Sequence, residues 1–389
     1  MSMFFRAKLS SNRHTEAAIA EACEGVGEMS PDLVMVFVSH HHGDDFEPVL
    51  SSIWDKVNAR NLIGCTGDGI IGPDREVEAA PGLVVWAAQM PGVRVLPFVI
   101  DQNDVNDTAG SDDWYELLGT EQKDHPSFVV LPEPFSIDAE SCLNELDAAF
   151  PGAKIVGGMA SGAQGPNQNR LFLNDQVIRQ GMVGVSLSGP VEIHTVVSQG
   201  CRPVGEPFVV TKAEHNVIYE LRGKPALDVL RGVFNKADAA DQALMQQGLH
   251  VGNVVDEHLE KFGQGDFLIR NLMGVVQESG LAVNALMRAG QTIQFHVRDS
   301  KSADEEMRRL LTGRLGSIGT APGGLLFSCN GRGKRMFGSP NHDISLVNDA
   351  VHGCQIAGFF AAGEIGPVGN RTFIHGLTSS LVIFRDRTA

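Results

Sequence analysis

The sequence predicts an α/β fold made of repeated β-α-β-β units, forming mixed sheets flanked by helices and arranged as two related halves. The first observation is a glycine frame, G-x4-G-x2-G-P, that occurs three times. Its copies are Gly64, Gly69, Gly72 and Pro73, then Gly157, Gly162, Gly165 and Pro166, then Gly358, Gly363, Gly366 and Pro367. The second is a helix face upstream of each frame, in register without a gap: Leu50, Ile53 and Val57; Leu143, Leu146 and Phe150; Ile344, Val347 and Val351. A spacing of i, i+3, i+7 marks one side of an α-helix, and self-similarity at matched offsets marks a repeat. The third is an apolar run on either side of each helix and frame, rich in the β-branched and aromatic residues that favour strands.

In chain order, Glu16 to Gly25 reads as a first helix, and Pro31 opens repeat one. Its strand Leu33 to Val38 precedes the helix, and Gly82 to Ala88 and Val93 to Ile100 follow as a hairpin-like pair. The acidic, Asn-rich segment Asp101 to Trp114 lacks periodicity and reads as a surface excursion. Repeat two begins near Ser127 with the strand Phe128 to Leu131, and ends in a β-rich stretch reaching about Val210. Helices follow at Lys224 to Phe234, with Pro225 suited to a first turn, and at Ala240 to Gly248. Phe267 to Val276 and Thr292 to Asp299 read as strands, and Ser302 with Glu305 reads as a capping box opening the next helix. Repeat three takes Gly324 to Cys329, the third helix and glycine frame, and Leu377 to Phe384. A boundary near Ser198 to Thr211 gives two domains, 10–200 and 201–386.

At 389 residues the chain exceeds the roughly 250–300 at which single cores stop growing. No apolar run approaches the roughly 20 residues that span a bilayer, and the N-terminus lacks a long apolar signal region. The expectation is therefore a cytoplasmic protein without a membrane partner. The formal charge of −16 is spread without a basic stripe, which argues against nucleic acid. The six cysteines are far apart and read as reduced thiols.

In each repeat the loop after the first strand faces the glycine loop at the carboxyl edge of the sheet, where open α/β sheets bind ligands. Those loops are Ser39 to Phe46, Pro132 to Asp138 and Asn330 to Asp343. The third is chemically the richest, with Cys329, Asn330, Arg332, Lys334 and Arg335 facing Gly363 and Glu364, where earlier copies have Ile70 and Ala163 after the middle glycine. His375 and Thr378 lie just beyond. Arg270, Arg298 and Asp299 are charges within or ending apolar strands, where a charge needs a partner. The candidate ligand-binding set is Arg270, Arg298, Cys329, Asn330, Arg332, Gly363, Glu364 and His375. A guanidinium, an acid and backbone donors suit a small zwitterion such as an amino acid.

Other readings stay open. The glycines can serve tight turns at positive φ, Glu364 can pair with Arg332 or Arg371, and Cys329 and His375 can be core residues. Lys and Ser/Thr do not follow the second glycine, so the frame is not a phosphate loop. His40 to His42 has no second cluster spaced to complete a metal site, and neither a metal nor another cofactor is assigned.

The runs LFSCNGRGKRMFG, IAGFFAAGEIGPVGN and FIHGLTSSLVIF resemble the C-terminal part of the FIST domain family, as do FLIRNLMGV and QFHVRDSKSADEEM. NLIGCTGDGIIG, AKIVGGMASG and GMVGVSLSG resemble its N-terminal part, and the resemblance covers about Ser10 to Arg385. It implies a stand-alone sensory module that binds a small molecule such as an amino acid and signals to a protein partner. The alternative is an enzyme acting on a small metabolite, with Cys329, Glu364 or His375 as nucleophile or acid/base.

Overall fold

The computed structural model describes residues 2–43, 45–163, 165–259, 261–263, 265–315 and 323–387. Asp44 of the first candidate loop lies outside the described residues. Two compact units are present: Met1–Val197 with Arg308–Ile374 and Thr378–Ala389, and Ser198–Met307 with His375–Leu377. The third repeat shares the first unit with the other two, so the units cross the sequence halves 10–200 and 201–386.

The first unit opens with β1 (Phe4–Ser10) and α1 (Thr15–Ala22). Repeat one is β2 (Leu33–Ser39), α2 (Glu47–Val57), β3 (Leu62–Gly67), the short strands β4 (Ile70–Ile71) and β5 (Glu76–Val77), and β6 (Leu83–Gln89). After β7 (Arg94–Ile100), α3 (Gln102–Asp107) and α4 (Ser111–Leu118) comes repeat two. It runs β8 (Ser127–Pro132), α5 (Ala139–Ala149), β9 (Ile155–Gly158), β10 (Leu171–Leu173), β11 (Gln176–Ile178) and β12 (Met182–Ser188). Next is β13 (Val191–Gln199). The second unit contributes β14 (Cys201–Glu214), β15 (Val217–Leu221), β16 (Lys224–Pro225), α6 (Ala226–Lys236), α7 (Ala239–Gln247), β17 (Leu249–Val254), β18 (Phe267–Val276), β19 (Gly280–Val283) and β20 (Thr292–Arg298). Helix α8 (Ser300–Leu315) leads to repeat three: β21 (Gly323–Cys329), α9 (Gly333–Phe337), α10 (His342–Ala350), β22 (Gln355–Ala361), β23 (Glu364–Val368), β24 (Arg371–His375) and β25 (Thr378–Asp386).

The three repeats fold alike. In each, the strands flanking the helix are parallel (β2 with β3, β8 with β9, β21 with β22). The last strand (β6, β12 or β25) runs antiparallel to the first. Each six-stranded sheet is completed by another repeat: β10 and β11 join repeat one, β23 and β24 join repeat two, and β4 and β5 join repeat three. Phe172 stands opposite Gly64, Ile365 opposite Gly157, and Ile71 opposite Gly358. The exchange closes a ring in which every repeat lends a strand and receives one.

That exchange explains the first glycine of the frame. A Cβ at Gly64, Gly157 or Gly358 would lie 2.0, 1.9 or 1.8 Å from the carbonyl oxygen of Val36, Val130 or Leu326 on the parallel neighbour. Close backbone approach, not a turn, excludes a side chain at all three.

All nine helix positions that defined the repeats are buried. Alternate residues of the strands face a common core in which Phe37 and Ile63, Val129 and Val183, and Phe327 and Phe359 bring the three repeats together. The opposite faces of the first two sheets are covered by their helices, Leu50 and Ile53 on one and Leu143 and Leu146 on the other. This is the period-2 and period-3.6 division of labour that the sequence pattern requires.

Two local expectations are corrected. Asp101 to Trp114 is not irregular: Asp101 accepts from the backbone N–H groups of Asn103 and Asp104, and Asp104 accepts from that of Asp101, so a reciprocal cap starts α3. The helix assigned to a Ser302 capping box starts at Ser300 instead. Asp299 accepts from Lys301 N–H at 3.1 Å and from the Ser302 hydroxyl at 2.7 Å.

In the second unit β14, β20, β17, β18, β19 and β15 pair antiparallel in that order, and β15 pairs back with β14. The sheet thus closes on itself around Val210, Ile218, Val251, Leu281 and Phe295, which leaves little free edge. Among the described residues no helix is long and apolar enough to cross a membrane.

Candidate functional site

The carboxyl end of β21 delivers Ser328, Cys329 and Asn330 to the edge where the exchanged strand β4 and its continuation β5 arrive from repeat one. Arg332 follows, fully buried. Its Nε and Nη2 each donate at 2.8 Å to the two carboxylate oxygens of Asp343, in the first turn of α10. Asp343 also accepts from the Ser328 hydroxyl at 2.7 Å, and its Oδ1 lies 2.9 Å from His342 Nδ1. Burial opposes the charge on Asp343, but the Arg332 guanidinium and these donors prevail and hold the carboxyl well below its ordinary range. Burial likewise opposes the charge on Arg332, and Asp343 restores it. The Phe337 ring lies 5.2 Å from the guanidinium and stacks on His342 at 3.4 Å, fixing the far side of the pair.

Glu364 is the other buried charge candidate, and its state is different. Strand β23 places it opposite Gly158 of repeat two, wholly out of solvent. Its Oε2 accepts from Thr378 N–H at 3.0 Å, whereas Oε1 has no hydrogen-bond partner among the described residues. Burial raises its pKa well above the carboxylate range, and Thr378, Arg332 and the neighbouring Cys329 thiol only partly offset this. Burial thus biases the Glu364 carboxyl toward its protonated form.

A second acid arrives with the exchanged strand. Glu76 Oε1 accepts from Ile344 N–H at 2.9 Å, while its buried Oε2 has no partner among the described residues. Burial, then repulsion from Asp343, pushes its pKa up to about 7. Ser379, opposite Ser328 in the ladder, also has a buried hydroxyl without a partner there. Buried polar groups are nearly always satisfied, and Glu364 Oε1, Glu76 Oε2 and Ser379 Oγ are exceptions among the described residues. Among the described residues no group of three or more His, Cys, Asp or Glu is arranged to hold a metal ion.

The sequence candidates divide accordingly. Cys329, Arg332 and Glu364 come together here. Asn330 holds the end of β22: its backbone N–H donates to Ala361 O at 3.0 Å, and its amide, turned to satisfy both ends, donates to Phe360 O at 2.7 Å. At Gly363 a Cβ would meet Met159 and Ile374, both at 2.9 Å, so this glycine serves packing between repeats. Arg270, Arg298 and His375 belong to the second unit. There Arg270 stands opposite Val251 and donates to Ile269 O at 3.3 Å, Arg298 ends β20 opposite Cys201, and His375 is buried. Asp343, Glu76, Ser328 and Ser379 were not singled out from the sequence. Glu76 becomes part of the site only through strand exchange.

The fold defines a module of β-α-β-β repeats with buried acids, Glu76, Asp343 and Glu364, where repeat three meets the strands exchanged with its neighbours. This chain belongs to the FIST family: the FIST N domain matches residues 32–224 and the FIST C domain residues 226–367. FIST domains are generally regarded as sensory domains. "Uncharacterized protein Rv0628c" of Mycobacterium tuberculosis (strain ATCC 25618 / H37Rv) is 39% identical over 378 residues, covering 96% of each chain. "Uncharacterized protein Mb0898c" of Mycobacterium bovis is 37% identical over 377 residues, covering 95% of this chain and 96% of that one. A crystal structure of a cyanuric acid hydrolase from A. caulinodans aligns over 100% of both chains with TM-score 0.36 and 8% identity.

Proposed function

We propose that this protein is a sensory module whose ligand is a small polar metabolite carrying an amine, with amino acids the leading class. The observation that carries this is Glu364 Oε1, fully buried and without a hydrogen-bond partner among the described residues. A neutral acid held in that state is stable only until a better partner arrives. An ammonium group placed beside it favours the ionised form, so binding drives the proton off Glu364 and creates a buried ion pair. Glu76, with its pKa raised to about 7, supplies a second acceptor. Arg332 is already committed to Asp343 through two of its donors. Amine recognition thus leads, and a ligand carboxylate is secondary. The change in charge at Glu364 is the signal that a protein partner would read.

Isothermal titration calorimetry of the full chain with an amino-acid panel tests this. In buffers of different ionisation enthalpy, binding of an amine should release about one proton, because Glu364 goes from neutral to charged. Glu364→Gln should release fewer protons, leaving only what Glu76 contributes, and bind more weakly by about 1.5–3 kcal/mol, while deaminated analogues are little affected. Equal losses for amine and deaminated analogue in the Glu364 variant, with the fold intact by circular dichroism, would sink the reading.

A further inference from the structure

Helix α6 and the strands β14 and β15 bound an open cleft of about 830 Å³ in the second unit, a size common among small-molecule sites. Asp228, Val229, Gly232, Val233 and Lys236 form its helical wall, a single face of α6 by their spacing. Val204 and Phe208 of β14 and Leu221 of β15 form the facing wall. Two backbone features hold the cleft open. The ladder between β14 and β20 is interrupted from Val204 to Phe208, and Gln294 Nε2 pins the bulge by donating to Gly205 O at 2.7 Å; such bulges are frequent next to active sites. Gly232 stands inside α6, where glycine weakens a helix relative to alanine, yet a Cβ there would meet nothing within 4 Å. Packing among the described residues does not call for that glycine, and it borders the cleft.

The trough is apolar along its length and charged at its ends, and most of the charges are paired. Arg222 meets Glu206 at 3.1 Å, Arg231 meets Asp228 at 3.4 Å, and Arg202 meets Asp241 at 2.5 Å. Lys236, in the last turn of α6, shares its end of the cleft with Asp238. Lys224, exposed on β16 at the opposite end, has no hydrogen-bond or ion-pair partner for its ammonium group among the described residues. We propose that this cleft binds a free organic carboxylate with an elongated apolar body, of the medium-chain fatty-acid type. The chain lies on Val204, Phe208 and Val233 and crosses the bare backbone of Gly232, while the carboxylate meets Lys224. The 11 residues of α6 run about 16 Å, room for an extended ten-carbon chain. A cation on the same body would face the charge of Lys224 instead of pairing with it.

This inference rests on none of the amine reading, since Glu364 and Glu76 take no part in it, and either can fail alone. Isothermal titration of the full chain compares decanoate with 1-decanol and decyltrimethylammonium, all as dissolved monomers. Decanoate should bind saturably, about three- to tenfold more tightly than decanol, and the cation more weakly than either. Lys224→Gln should remove the advantage of decanoate over decanol and leave decanol unchanged. Gly232→Leu, which fills the cleft, should weaken decanoate and decanol alike by at least about tenfold without lowering the melting temperature. An absence of saturable decanoate binding overturns the proposal, as do equal affinities of the three probes for the wild-type protein or unchanged binding in Gly232→Leu. The comparison of probes on the wild-type chain decides the matter even where a variant fails to fold.

Discussion

Glu364 stands directly opposite Gly158, on a strand that repeat three lends to the sheet of repeat two. Gly158 has no side chain to offer, and a Cβ there would already crowd Ala361 at 3.0 Å and Phe327 at 3.1 Å. The acid is thus held at a joint between repeats, where backbone packing leaves its outer oxygen unserved.

The joints themselves should be intolerant of the smallest side chain. Gly64→Ala, Gly157→Ala and Gly358→Ala each drive a Cβ to within 2.0 Å of a carbonyl oxygen. Each should lower unfolding free energy by about 3 kcal/mol or more, measured by urea titration. Gly232 in α6, whose Cβ would meet open space, is the control: its replacement by Ala should stabilise by about 0.5–1 kcal/mol. Similar small effects at all four positions would refute the close-approach account.

The Arg332–Asp343 pair is fully buried, so removing one partner strands the other. Arg332→Met or Asp343→Asn alone should destabilise by about 3–5 kcal/mol, and the double variant by much less than the sum. Additive losses in the double-mutant cycle would mean that the two groups act separately.

Glu76 gives the site a pH dependence of defined sign. Its pKa rises from 4.5 in the unfolded reference to about 7, so the folded state holds the proton more tightly. The stabilisation is complete below pH 4.5 and is lost as pH rises through about 7, amounting to something on the order of 3 kcal/mol. Thermal melting should therefore show a fall in stability across pH 5 to 7.5 that Glu76→Gln flattens. An identical profile in the variant would show that Glu76 is not the group responsible.

His296 in the second unit behaves in the opposite sense. Burial lowers its pKa from 6.5 to about 4, with Nδ1 held 3.0 Å from Gln294 O. Its contribution is present above pH 6.5 and is lost as pH falls through about 4, because the unfolded state takes up the proton first. Hydrogen exchange should show β17 and β20 losing protection on acidification, and His296→Gln should reduce that loss.

The repeats were legible because a glycine frame and a helix face recur at fixed offsets, and both signals are local. Strand exchange was not, since Ile71 and Gly358 meet from opposite ends of the chain and nothing near either announces the other. Glu364 stood out as the one polar residue at a position otherwise held by Ile70 and Ala163. Arg332 also stood out, but its partner Asp343 was not singled out within the loop Asn330 to Asp343, so the guanidinium was assigned to a ligand. The helix α3 was missed because its stability comes from a side-chain cap at Asp101 and not from an apolar stripe.

The ring of lent strands also sets a timetable for synthesis. As the chain leaves the ribosome, repeats one and two can pair through β3 and β10, but β4 and β9 must wait for β22 and β23 near the other end. Until those arrive, the nascent protein carries two raw strand edges and a half-built apolar interior past the whole length of the inserted barrel. Chaperone occupancy should therefore persist until repeat three emerges, and truncations that remove β22 and β23 should be sticky, protease-sensitive chains instead of smaller folded proteins.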